Sequence, residues 1–506
     1  MKGSKRTSGI LMPVSALPSP YGIGTLGKAA YAFADFLHAA GQSLWQVLPI
    51  GPTGYGDSPY QSFSTFAGNP YFIDLELLVR DGLLDEAALA AEDWSTEPTR
   101  VDYGKIYVAR FRVLRRAFAV GYPRDREKVA QFSRENPWLE NYALYMAVKQ
   151  HFDMKSWQDW PDDAIRLRRP QALAAYREQL AEDVAFYSYL QYLFYLQWNA
   201  LRDYVHGLGI RIVGDLPIYV SMDSADVWAE PQFFQLDENG VPTEVAGVPP
   251  DYFSEDGQLW GNPLYDWDAM QADGFGWWIR RVEGAGRLYD VIRIDHFRGL
   301  ESYWAVPYGA KNARGGRWRP GPGMALVGVL TSWFYQLDFI AEDLGILTPA
   351  VRQLLETSGL PGMKVLEFAF DSREPSAYLP HNHVKNCICY VGTHDNETAV
   401  QWSENAPAAT VTYAEEYLGF SGRENAAAAL LRAGMSSVAD TFIVQMQDWL
   451  ALGAEARMNA PGVVGGNWQW RLRADALTDA LAARIAALTV LYDRAPEKKP
   501  EDRTEE

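Results

Sequence analysis

Cysteine is nearly missing from this chain: its 506 residues contain two, Cys387 and Cys389. One residue apart in an apolar run, they would share a strand face without the geometry for an ordinary bridge, which excludes a disulfide scaffold. They read as free thiols of a reducing compartment, so the expected location is cytoplasmic. Positive charge is scarce as well, with 46 Lys and Arg against 64 Asp and Glu, a net charge of −18. A phosphate backbone must be neutralised by cations, so nucleic acid is excluded as a partner. No apolar run is long enough for a membrane span of about 20 residues. The most apolar later stretch, "VAFYSYLQYLFYLQWNA", is interrupted by Ser188, Gln191, Gln197 and Asn199. The opening "MKGSKRTSGILMPVSALPSP" has the outline of a signal peptide, but Pro13 breaks its apolar part and it reads as a first strand ending at Ser15.

What is present is hydrophobic and aromatic. A hydrophobic fraction of 48% supplies a core without staples, and most of the 18 Trp and 28 Tyr read as core residues. Some of these rings can line a groove that stacks on flat neutral ligands such as sugars. Short apolar runs with polar or Gly-rich ends recur: "GILMPVSAL", "SLWQVLPIGPTG", "IRIVGDLPIYV", "YDVIRIDHF", "LDFIAEDLG", "KVLEFAFD" and "CICYVGTHDNET". Helical patterns such as "KAAYAFADFLHAAG" and "PAVRQLLETSG" separate several of them. Alternation of this kind predicts an α/β protein with a parallel sheet, and seven strands point to a closed (β/α)8 barrel whose eighth strand is not evident. The barrel is expected over 1–492, interrupted by a mainly helical subdomain at 75–205 and a loop-rich insertion at 221–285 above the barrel mouth. The tail 493–506 is charged, lacks core-forming residues and is expected to be disordered.

Barrels of this kind carry their chemistry at the C-terminal ends of the strands. Four such ends bear acids: Asp215 in "VGDLPIY", Asp295 in "RIDHFRG", Glu342 and Asp343 in "AEDLG", and Asp395 in "GTHDNET". One such acid could cap the next helix, but four at neighbouring strands ask for another role. Retaining glycoside chemistry needs a carboxylate nucleophile opposite a protonated carboxyl, around a cationic transition state. Arg293 lies two residues before Asp295, on the same side of the strand, and favours its ionised form, which makes Asp295 the nucleophile candidate. Glu342 has no adjacent base in its own strand, so a less polar setting would raise its pKa as a general acid requires.

Two other classes compete. His296, His394, Asp395 and the pair His381 and His383 could ligate a metal in a barrel hydrolase. However, "LPHNHVKN" reads as a loop before its strand, away from the catalytic rim, and His296 and His394 could instead bond sugar hydroxyls. A non-catalytic polysaccharide-binding barrel is the third reading, against which the intact set of acids speaks. Two Gly- or Pro-bearing loops, "PPDYFSEDG" and "NAPGVVGGN", could close over the mouth, with Tyr252 and Phe253 offering an apolar face to an arriving sugar.

Long motifs then narrow the choice: "PVSALPSPYGIGTLG", "GPTGYGDSPYQSFSTFAGNP", "GDLPIYV", "GVPPDYFSEDGQLWGNPLYDW", "RIDHFRGLESYW", "AEDLG", "GTHDNET" and "EARMNAPGVVGGNWQWR". Along nearly its whole length the sequence resembles the amylomaltases or disproportionating enzymes, the 4-alpha-glucanotransferases of glycoside hydrolase family 77, related to the alpha-amylase barrels. The resemblance implies a cofactor-free, metal-free transfer of segments among maltooligosaccharides, amylose and other alpha-1,4-glucans, with no protein partner. It implies Asp295 as nucleophile, Glu342 as acid/base and Asp395 as the carboxylate that stabilises the transition state. Arg293, His296 and His394 would surround the sugar at the cleavage site, and Ser58, Tyr60, Asp215, Asp251, Trp260 and Asn467 would serve sugar subsites. The runner-up is an alpha-1,4-glucan hydrolase with the same three acids, because only the acceptor differs.

Overall fold

The computed structural model describes residues 6–496 except 96, 251–253, 346, 372, 374 and 464. Eight short strands build the centre: β1 (Thr7–Leu11), β2 (Leu44–Gln46), β3 (Arg211–Leu216), β4 (Val291–Ile294), β5 (Asp338–Ala341), β6 (Gly362–Val365), β7 (Cys387–Tyr390) and β8 (Thr441–Gln445). They pair in parallel in the order β6-β7-β8-β1-β2-β3-β4-β5, the chain order of a barrel cut open between β5 and β6. At that seam the Ala341 N–H still donates to the Pro361 carbonyl at 2.9 Å. The expected (β/α)8 barrel is therefore present.

Strand periodicity explains its interior. Leu11, Leu44, Val213, Val291, Ile340, Met363, Ile388 and Ile443 form one buried cluster that fills the barrel. Two residues further along four of those strands the same inward face turns polar, with Gln46, Asp215, Arg293 and Glu342. Cys387 and Cys389 alternate with the inward Ile388 and Tyr390, face the helical layer and are free, buried thiols.

The strand missing from the sequence reading is "TFIVQ". It is buried throughout, and it runs straight into a helical turn, Met446–Trp449, with no acid or glycine at its end to mark it. Arg494, within the tail 493–506 expected to be disordered, is fully buried. Its guanidinium donates to the carbonyls of Met435, Thr7, Ser437 and Ala439 at 2.9 to 3.0 Å, plugging the N-terminal end of the barrel between β1 and β8. A charge is tolerated there because carbonyls take the place of water. Residues 497–506 lie outside the described residues.

Between β2 and β3 the chain is mainly helical, with Tyr103–Glu135, Trp138–His151 and Ala181–Gly207 as its long members. Lys149, buried on Trp138–His151, places Nζ 2.6 Å from Asp223 Oδ2, and the Tyr145 hydroxyl donates to Asp223 Oδ1 at 2.6 Å. These bonds fix the helices to the loop that leaves β3. The stretch 221–285 is not only loops: Glu244–Val248 and Gln258–Pro263 join Ser302–Pro307 and Arg317–Pro320 in a four-stranded antiparallel sheet. Its central pairing, Glu244–Val248 with Ser302–Pro307, joins segments some sixty residues apart in sequence and includes Gly247, so local composition could not announce it. No helix among the described residues is long and apolar enough to cross a membrane.

Candidate active site

Above the apolar filling of the barrel, Asp215 on β3 and Arg293 on β4 are cross-strand partners in register. Arg293 Nη1 stands 2.6 Å from both oxygens of Asp215. Both side chains are almost fully removed from water, so the pair must satisfy itself. The same Nη1 is 3.1 Å from Asp295 Oδ1, and Nε faces Met363 Sδ at 3.4 Å. The guanidinium expected to serve Asp295 thus serves two carboxylates, with Asp215 held more closely.

Asp295 follows β4 directly, and its backbone N–H donates to the Leu216 carbonyl on β3 at 3.0 Å. Burial pushes its pKa well up; Arg293 pulls down, while Asp215, Glu342 and Asp395 add to the rise. The side chain keeps 27% exposure, so solvent tempers the burial effect. Glu342 follows β5 and is also raised, first by burial. Its setting differs from the expectation in one respect. Both oxygens accept backbone N–H groups, Oε2 from His296 at 2.8 Å and Oε1 from Leu344 at 2.7 Å, which hold the carboxyl in place and oppose the rise. Burial thus raises both acids, and Glu342 adds to the rise of Asp295.

Asp395 projects from a tight turn after β7. Thr393 N–H and Oγ1 both donate to Asn396 Oδ1, and the Asp395 N–H donates to Thr393 Oγ1 at 3.3 Å. One carboxylate oxygen accepts from Asn459 Nδ2 at 2.6 Å, the other lies 3.4 Å from His394 Nε2. His394 Nε2 is also 2.8 Å from the Tyr60 hydroxyl, which donates to Asp215. With that hydroxyl proton committed to Asp215, the network assigns the His394 proton to Nε2. Burial lowers the pKa of His394 and takes that of His296 down to about 3, so both rings are neutral donors or acceptors at neutral pH. His296 itself adopts a left-handed backbone, φ 49°, at the turn that leaves β4.

Aromatic rings wall this space. Tyr60 stacks on His394 with centroids 5.3 Å apart, and Trp468 closes on both at 5.8 and 6.0 Å. On the other side Trp260 meets His296 edge to face at 4.9 Å. Ser58 shapes the turn below Tyr60, its Oγ accepting the Tyr60 N–H at 3.2 Å. Asn467 engages its amide within its own loop, accepting from Ala460 N–H at 3.0 Å and donating to the carbonyls of Ala460 and Val463. Asp251, Tyr252 and Phe253 lie outside the described residues. His381 and His383 precede β7, at the other end from Asp395, and bond Tyr417, Ser437 and the Tyr378 carbonyl.

Three neighbours escaped the residue-by-residue reading: Asn459, Arg457 and Trp468. Their signal was the unusual string "EARMNAPGVVGGNWQW", but nothing in its spacing says which residues turn inward.

Comparison with known proteins agrees with this geometry. The 4-alpha-glucanotransferase family profile, glycoside hydrolase family 77, matches residues 12–478. A 4-alpha-glucanotransferase of Streptococcus pneumoniae is 48% identical over 97% of this chain and 98% of its own length, and one from Thermus thermophilus 47% identical over 97% and 99%. The amylomaltase of Streptococcus agalactiae, solved in complex with acarbose, superposes with a TM-score of 0.95 at 42% identity, over 97% of this chain and 100% of that one. With three acids on barrel strand ends and relatives this similar over their full length, the chain belongs to the 4-alpha-glucanotransferase family, glycoside hydrolase family 77.

Proposed function

We propose that this chain moves alpha-1,4-glucan segments between chains by a retaining double displacement, with Asp295 as nucleophile, Glu342 as acid/base and Asp395 as the charge that steadies the transition state. The observation that carries the assignment is the convergence of these acids from β4, β5 and β7 on one aromatic-walled space floored by Asp215 and Arg293. In the first step Glu342 gives its proton to the glycosidic oxygen as Asp295 forms an ester with the anomeric carbon, releasing the shortened chain. In the second step Glu342, now ionised, takes the proton of an incoming sugar 4-hydroxyl, which attacks the anomeric carbon and frees Asp295. Arg293 serves the leaving and returning negative charge on Asp295, and the fixed dipoles around Glu342 need no rearrangement between the two steps.

Neutral His296 and His394, with Tyr60, Trp260 and Ser58, supply hydrogen bonds and flat apolar faces to a neutral sugar. Maltooligosaccharides, amylose and similar alpha-1,4-glucans are the proposed donors and acceptors; the complex of the Streptococcus agalactiae relative with acarbose supports an oligosaccharide in the cleft. Asp251, Tyr252, Phe253 and the loop closed by Asn467 would border the acceptor side. The helical stretch 75–205 and the stretch 221–285 are proposed as insertions that build the cleft walls. The buried free thiols support a cytoplasmic location.

Transfer is favoured over hydrolysis by the activity named for relatives 47 and 48% identical over nearly their whole length. Incubation with maltotriose alone tests it. Transfer yields glucose and a ladder of longer chains; glucose and maltose without a ladder would mean hydrolysis.

A further inference from the structure

Asp395 must keep a carboxylate aimed at a transient cation, yet its own turn holds its backbone and offers the side chain the His394 ring at 3.4 Å. The side chain is 44% exposed, and its direct polar neighbours are Asn459, at 2.6 Å, and His394, at 3.4 Å. Asn459 lies on a different segment, after β8, and Arg457 locks that segment to the Asp395 turn. Arg457 Nε donates to the Asn459 carbonyl at 2.9 Å, Nη2 donates to the Asp395 carbonyl at 3.1 Å, and Nη1 lies 3.6 Å from Glu397 Oε1. One guanidinium therefore fixes the main chain on both sides of the Asn459–Asp395 bond, and that bond fixes the carboxylate.

We infer that Asn459 and Arg457 are positioning residues for Asp395, holding its carboxylate in the orientation that the transition state requires before any sugar arrives. The inference rests on the role given to Asp395 above. The physical case is twofold. An amide N–H on a carboxylate oxygen is a charge-assisted bond, stronger than a neutral one, and it leaves the second oxygen open to a sugar hydroxyl. A half-exposed aspartate without it would sample several rotamers, and small misplacements near a reacting centre lower rates steeply. Asn459 also opens the loop that Asn467 closes from its far end, with Ala460 N–H and carbonyl both bonded to Asn467. The orientation of Asp395 is thereby tied to the loop at the barrel mouth.

The test compares Asn459→Ala, Asn459→Asp, Arg457→Lys and Asp395→Asn in maltotriose disproportionation, each with its thermal midpoint. Asn459→Ala is expected to lower kcat about 10- to 100-fold with less than a threefold change in KM and an unchanged melting temperature. In Asn459→Asp the introduced carboxyl can donate only when protonated, so the ratio of variant to wild-type activity should rise as pH is lowered. Arg457→Lys should keep part of the activity, since an ammonium can reach one carbonyl but not all three partners. Combined with Asp395→Asn, Asn459→Ala should add no further loss. Full activity of Asn459→Ala beside an inactive Asp395→Asn would overturn the positioning role alone. An active Asp395→Asn would overturn the role of Asp395 on which it rests.

Discussion

Arg293 and Asp215 face each other across β4 and β3, with Arg293 Nη1 2.6 Å from both carboxylate oxygens while the same nitrogen stands 3.1 Å from Asp295. One buried cation thus bridges a structural carboxylate and the proposed nucleophile. Asp215→Ala should remove the closer of the two carboxylates that neutralise a buried guanidinium and destabilise the fold by up to about 3–5 kcal/mol. Arg293→Lys should keep the fold better but lose the two-sided contact, lowering kcat at least about 100-fold. Chemical denaturation read beside kcat separates the two effects; equal stability of wild type and Asp215→Ala would contradict the buried pair.

Burial raises both Asp295 and Glu342, and the direction sets the pH behaviour. Activity needs Asp295 ionised and Glu342 protonated, so both limbs of the kcat/KM profile should lie above the ordinary carboxylate range around pH 4. Stability follows the same sign. A carboxyl whose folded pKa is raised contributes fully below its unfolded value and loses that contribution as pH climbs to the folded one. Asp295→Asn should therefore melt higher than wild type at pH 7, with the difference shrinking toward pH 4. A constant difference across that window would speak against a strained, buried carboxylate.

Glu342→Gln keeps one acceptor oxygen for the His296 or the Leu344 N–H, sets its amide NH2 against the other, and has no proton to give to a leaving sugar. Turnover of natural glucans should fall about 100- to 10,000-fold, whereas a glycosyl fluoride, whose departure needs little protonation, should retain much of its first-step rate. Equal losses on the two donors would remove Glu342 from the acid role.

Water at about 55 M competes with every acceptor, so the glycosyl ester must be shielded. In sequence, Phe253 falls between the paired strands Glu244–Val248 and Gln258–Pro263, in the stretch outside the described residues that offers an apolar ring to an arriving sugar. Phe253→Ala should raise the ratio of hydrolysis to transfer on maltotriose, measured as released reducing ends against redistributed chain lengths. Both rates falling together would make this ring a sugar contact without a shielding role.

Arg494 offers a prediction remote from the chemistry. Its guanidinium satisfies carbonyls of β1 and of the segment before β8, so Arg494→Ala should leave those oxygens unpaired and destabilise the fold by about 2–4 kcal/mol. The kcat of the folded fraction should stay unchanged, checked by activity per folded molecule well below the melting point.

The barrel was legible because seven of its strands are short apolar runs with polar or Gly-rich ends, and the catalytic acids were legible because they stand at those ends. β8 escaped because "TFIVQMQDW" passes from a buried strand into a helical turn without a marker, its acid Asp448 arriving three residues late. The sequence presents Asp215 as a strand-end acid and, through the resemblance, as a sugar-subsite residue, whereas its close claim on Arg293 needs the register of β3 against β4. Arg494 looked like tail because charge and burial are anticorrelated in sequence, and only the folded chain brings four carbonyls to it. Asn459 and Arg457 are bound to Asp395 over a separation of about sixty residues, a contact that no local pattern encodes.

In the proposed reaction Asp295 forms the bond to the anomeric carbon. The direct measurement is trapping: a donor with a fluoride leaving group and slow deglycosylation is given to the wild-type enzyme, and the glycosylated peptide is sequenced by mass spectrometry. The label is expected on Asp295 alone, and Asp295→Asn should take none while remaining folded. A label on Glu342, Asp395 or Asp215, or turnover without any covalent adduct, would contradict the account.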